Sequence, residues 1–104
     1  MTHAVIIRLE LSDRNFGTEA EREAIFELTD RMEAAISAAD AGEFDGNEFG
    51  GGECTLYMYG PDADRLYSAV VAILQGSRLS RGGSVIKRYG DADDPHAREV
   101  KLPI

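Results

Sequence analysis

The spacing of apolar residues switches between two periods along this chain, and that order restricts the fold more than any other feature. From Thr2 to Leu11, Val5, Ile7, Leu9 and Leu11 alternate with Ile6, Arg8 and Glu10, the period of two that a half-buried strand requires. From Thr18 to Asp40, Ile25, Leu28, Met32, Ala35, Ile36 and Ala39 recur at helical spacing and form one apolar stripe. Glu43 to Phe49 and Glu53 to Tyr59 read as two strands, and alternation returns in the second, where Cys54, Leu56 and Met58 share one face and Thr55, Tyr57 and Tyr59 the other. Ala63, Leu66, Tyr67, Val70, Ile73 and Leu74 then supply a second helical stripe. Ser84 to Tyr89 and Ala97 to Leu102 read as closing strands. Ser12 to Gly17, Ser77 to Gly83 and Gly90 to His96 read as connections.

Local signals agree with these periods. Thr18 and Glu21 have the spacing of a capping box, in which each side chain satisfies a free amide of the first helical turn. Gly42 is the expected stop of the first helix and Gly76 of the second, since glycine tolerates the left-handed conformation past a helix end. Pro61 is expected at the first position of the second helix. Gly50, Gly51 and Gly52 are expected to turn a hairpin; a mobile flap over a ligand is the sharper reading of the same three residues.

The order is β-α-β-β-α-β with one more strand at the C-terminus. It predicts an α+β, ferredoxin-like sandwich over residues 1–104, a single domain with both helices on one sheet face. Val5, Ile7 and Leu9, with Cys54, Leu56 and Met58, are expected to meet the helices. The opposite face is expected to carry Ile6, Arg8, Glu10, Tyr57, Tyr59 and residues of the fourth strand.

Charge narrows the function classes. The formal net charge is -8, and from Gly17 to Asp64 thirteen acids stand against two bases, Arg22 and Arg31. Such a field repels phosphate backbones, so nucleic acid is not an expected partner. No apolar run approaches the ~20 residues that span a bilayer, and Met1-Thr2-His3 lacks the basic start of a secretory leader. No membrane partner and a cytoplasmic location are expected. The single cysteine, Cys54, excludes an internal disulfide framework and a thiolate-rich zinc site.

Glu43-Phe44-Asp45-Gly46, followed by Phe49-Gly50-Gly51-Gly52-Glu53 and Leu56-Tyr57-Met58-Tyr59-Gly60, resembles a family of small uncharacterised bacterial proteins of about this length. The resemblance runs across most of the chain. It implies a single domain and carries no activity or site assignment.

Asp45, Asn47 and Glu53 superficially suggest a calcium loop, but Phe49 and Leu56 fall where oxygen ligands are needed. The glycine triplet leads into a strand, not into a helix N-terminus that would hold phosphate. Cys54 alternates with Leu56 and Met58, so it is expected to be buried and inert. No metal, no cofactor and no catalytic set are expected. Tyrosines on an open sheet face suit an interface with one apolar and one wet side. The binding residues expected there are Ile6, Arg8, Tyr57, Tyr59, Lys87 and Tyr89. They point to a non-catalytic interaction module that forms a homodimer through the open face. An acidic, immunity-like inhibitor of a basic protein partner is a variant of that class. The alternative is a small-molecule sensor or cofactorless enzyme that holds an anion among Arg8, Tyr57 and Lys87.

Overall fold

Strand β1 (His3–Glu10) lies in the middle of the sheet because both of its neighbours reach it from later in the chain. In the computed structural model, which describes residues 2–104, β1 is followed by α1 (Glu19–Ala38), β2 (Glu43–Gly50), β3 (Glu53–Gly60), α2 (Ala63–Gln75), a short 3-10 turn (Arg78–Ser80), β4 (Ser84–Arg88) and β5 (Glu99–Pro103). The five strands form one antiparallel sheet in the order β2-β3-β1-β4-β5. The fold is α+β, with α1 and α2 packed on one face. The last strand extends its own sheet beside β4.

The alternating strand residues meet the helical stripes as their periods require. Val5, Ile7, Leu9, Cys54, Leu56, Met58 and Val85 are buried against Ile25, Leu28, Met32 and Ile36 of α1 and Leu66, Val70 and Leu74 of α2. Each fully buried Leu, Ile, Val or Met contributes roughly 1.5–3 kcal/mol relative to exposure. Thr29 joins the α1 stripe, while Ala39, expected within it, is the exposed C-cap residue.

Several boundaries differ from the sequence expectation. The capping box forms as expected: Glu21 N–H donates to Thr18 Oγ1 (3.1 Å) and Thr18 N–H donates to Glu21 Oε1 (2.9 Å). The helix stop does not lie at Gly42. The Ala39 cap is followed by Asp40 at φ 49, a left-handed position that aspartate tolerates better than most residues. Gly42 serves close approach instead. At φ +143, a Cβ built there would run into the Tyr59 carbonyl oxygen. Pro61 stands outside α2, because Asp62 is the N-cap and its carboxylate accepts from Asp64 N–H at 2.9 Å. Gly76 ends α2 in a right-handed conformation.

The hairpin turn is Gly51-Gly52, with φ 61 and 82, the doubly positive pattern of the tight turn that matches strand twist. Its backbone is tied to the β1–α1 connection. Leu11 N–H donates to Gly52 O, and Gly52 N–H donates to Asn15 O, both at 2.9 Å.

Candidate functional site

The open sheet face is built by cross-strand register. Tyr57 of β3 lies opposite Ile6 of β1, and Ile6 lies opposite Ile86 of β4, which lies opposite Lys101 of β5. The next row carries Glu43, Tyr59, Ala4, Arg88 and Glu99. On the other side of the centre lie Glu48, Thr55, Arg8, Ser84 and Pro103. The centre is therefore apolar and aromatic, the β2 flank is acidic, and Lys101 marks the β5 flank. Neither helix covers this face, and Ile6, Tyr57, Tyr59 and Ile86 are each only partly buried.

Arg88 shapes one end of the face. Its guanidinium donates to the carbonyls of Asp91, Ala92 and Asp94 and to Glu99 Oε2, at 3.0–3.2 Å. The loop held in this way walls a hollow of about 220 Å³ lined by Thr2, Ala4, Ile6, Tyr59, Arg88, Gly90 and Ala92. The other end is a polar hollow of about 230 Å³ among Arg8, Glu10, Glu53, Gly82, Ser84 and Lys101. The Arg8–Glu53 ion pair there is 3.6 Å long and half exposed, so it contributes little to stability. Tyr57 Oη donates to Glu48 Oε2 at 3.2 Å. Burial first, and then Glu48, holds the Tyr57 phenol above its usual range.

Four of the six expected residues, Ile6, Arg8, Tyr57 and Tyr59, meet on this face. Lys87 and Tyr89 do not. Lys87 pairs with core Val5 across β1 and β4 and therefore points to the helix side. Its Nζ lies 2.9 Å from Asp64 Oδ1 of α2 and 5.4 Å from the centre of the Tyr67 ring. Tyr89 Oη donates to the same Asp64 oxygen at 2.6 Å. The Tyr89 and Lys87 hydrogen bonds lower the Asp64 pKa, and the bond to Asp64 raises that of Lys87. His3 completes this group: its Nδ1 accepts from Ala63 N–H at 3.1 Å, and its ring meets Tyr89 edge-on. The group latches β4 and β1 to the start of α2, and the anion cradle expected from Arg8, Tyr57 and Lys87 does not assemble.

Ile86 and Lys101 are the face residues that sequence reasoning did not single out. Ile86 carried a signal, as an apolar residue beside Val85 in a strand whose faces differ. Lys101 carried none before β5 was paired with β4. Cys54 is buried, and that burial raises its thiol pKa to about 11, so it is a core residue and not an accessible nucleophile. No helix among the described residues is long and apolar enough to cross a membrane.

No protein-family model matches the chain. No curated protein matches it either. The solved structure of Rv0793 from Mycobacterium tuberculosis is similar, with a TM-score of 0.60 and 19% identity over 91% of this chain and 99% of that one. The likeness is one of fold alone.

Proposed function

We propose that this chain is a non-catalytic interaction module that self-associates through its open sheet face. The observation that carries the reading is the in-register row Tyr57–Ile6–Ile86, flanked by Tyr59 and left uncovered by either helix. Charge favours a second copy as the occupant. A two-fold axis along the strands lays β2 of one copy over β5 of the other, which sets Lys101 between the Glu43 and Glu48 rows, while Glu99, already paired with Arg88, falls over Glu43. A two-fold axis across the strands would lay acid over acid. Five strands spaced about 4.8 Å apart, and about 20 Å long, offer roughly 500 Å² per copy. The pair then buries about 1,000 Å², the lower bound for a specific interface.

The hollows at the two ends of the Tyr57–Ile6–Ile86 row, about 220 and 230 Å³, fall short of the roughly 300–1,000 Å³ of ordinary ligand pockets; a third, about 380 Å³ among Glu43, Tyr59 and Pro61 at the edge of the face, reaches that range and is where the second reading would seat a small molecule. The strand order β2-β3-β1-β4 supports reading the architecture as a ferredoxin-like sandwich with β5 appended. The same reading assigns the module to the cytoplasm.

The test is sedimentation equilibrium of Tyr57→Asp, Lys101→Glu and the double variant Glu48→Lys/Lys101→Glu. Tyr57→Asp should dissociate the pair with helix content unchanged. Lys101→Glu should weaken it, and the charge-swapped double variant should recover it. Unchanged association of Tyr57→Asp would remove this interface.

A further inference from the structure

Strand β2 is an edge of the sheet, so the outer side of its backbone has no partner strand. Such edges are templates for strand addition. Past an irregularity between Phe44 and Gly46, residues Gly46 to Gly50 keep a regular register with β3. Helix α1 runs beside this edge. Phe26, Asp30, Glu33 and Ser37 follow one another at i, i+4, i+7 and i+11 and so share one helix face. Phe26 meets Phe49 of β2 edge-on, with ring centroids 5.9 Å apart, yet it stays 48% exposed.

About 10–16 Å along the helix from Phe26, Glu33, Ile36 and Ser37 face Gly42, Glu43 and Phe44 across a hollow of about 330 Å³. The α1–β2 edge thus has an aromatic end at Phe26 and Phe49 and a polar, acidic end at Glu33, Ser37 and Glu43, with Phe44 beside it. Arg31 of α1 lines a different hollow, with Ser77 and Arg78.

We infer that this edge accepts an extended peptide segment of a basic partner, alternating Lys or Arg with apolar residues, as a sixth strand beside β2. The alternation follows from the two faces of the edge strand. On the helix side an added strand meets Phe44, Phe49 and Phe26, which favours apolar side chains. On the other side it meets Glu43 and Glu48, which favours cations. A second copy of this chain fits poorly. Its β2 edge is equally acidic, and its β5 edge carries Glu99 and Pro103. The inference shares Glu43 and Glu48 with the open-face interface but not Tyr57, Ile6 or Ile86, and Phe26 and Glu33 of α1 are the residues that separate the two.

The test is fluorescence anisotropy with a labelled ten-residue peptide alternating lysine and valine, at low salt. A second peptide of the same sequence carries N-methyl groups on alternate amides and cannot complete a strand ladder. The first peptide should saturate the protein, with affinity falling as salt rises. N-methylation should weaken binding at least tenfold, and Glu33→Lys and Phe26→Ala at least fivefold each. Both replaced residues are exposed, and circular dichroism verifies that the variants are folded. Arg78→Ala, an exposed residue on a different hollow, should leave peptide binding unchanged. Absence of saturable binding at low salt would overturn the inference. So would equal binding of the N-methylated peptide, or indifference to both α1 substitutions.

Discussion

Replacing Arg88 with alanine tests how the open face is built. The side chain is mostly buried, at 22% exposure, and its guanidinium bonds three loop carbonyls and Glu99. A net hydrogen bond contributes about 0.5–1.5 kcal/mol. The half-exposed Glu99 partner adds little. Three carbonyl bonds at about 0.7 kcal/mol each sum to roughly 2 kcal/mol. For a domain of this size that is a fall in Tm of about 8–16 °C. Arg88→Lys retains the charge but lacks the planar fork that reaches several carbonyls at once, so it should recover less than half of the loss. The assays are thermal unfolding by circular dichroism and hydrogen exchange of residues 90 to 97. Exchange there should accelerate in Arg88→Ala while the β1–β3 amides stay protected. A Tm within about 2 °C of the parent, with unchanged loop exchange, would refute the claim that Arg88 holds this wall of the face.

Glu21 supplies a pH test. Hydrogen bonds from the Ser12 hydroxyl, the Thr18 amide and the Ser12 amide lower its pKa from 4.5 to about 2. A depressed carboxylate pKa gives stability that is fully present above the unfolded value and is lost as pH falls through the folded value. The Tm difference between the parent and Glu21→Gln should therefore be largest above pH 5 and close between pH 4.5 and 2; a pH-independent difference in thermal melts would refute this. Gly42→Ala places a methyl group against the Tyr59 carbonyl in a left-handed backbone and should cost more than about 2 kcal/mol in urea unfolding. A neutral result would contradict the close crossing of the α1–β2 connection over β3. Lys87→Met should leave the solution mass unchanged, because Lys87 faces the helices; dissociation by this variant would return Lys87 to the interface.

Much of the fold is written in local periodicity. β1, α1, β3 and α2 each carry enough alternating or helical spacing to fix both type and buried face, and the Thr18/Glu21 box marks the start of α1 to the residue; β2 does not, because Phe44 and Phe49 have opposite parity and share a face only through the irregularity between Phe44 and Gly46. β4 was harder, because Val85 and Ile86 are adjacent apolar residues and either could face the core. Only pairing with β1 sets the phase, burying Val85 and sending Lys87 and Tyr89 to the helix side. Ser84 and Ile86 join the open face as a result. The end of α1 at Asp40 was illegible for another reason. A nearby glycine looked like the stop, but Gly42 is required by the Tyr59 backbone in a contact distant in sequence. The start of β5 at Glu99 likewise follows the Arg88-held loop, whose bonds run between a side chain and carbonyls and leave no pattern in the sequence. Ile6, Arg8, Tyr57 and Tyr59 were readable as one face because β1 and β3 alternate without interruption.

The central claim, association through the Tyr57–Ile6–Ile86 face, is tested most directly by mass in solution. The measurement is size exclusion with light scattering at several protein concentrations, in low and high salt. The expected mass is twice the 11.3 kDa of the chain at the higher concentrations, retained in high salt because the centre of the face is apolar, and reduced to the single-chain mass by Tyr57→Asp. A single-chain mass at every concentration, or a dimer that Tyr57→Asp leaves intact, would contradict it.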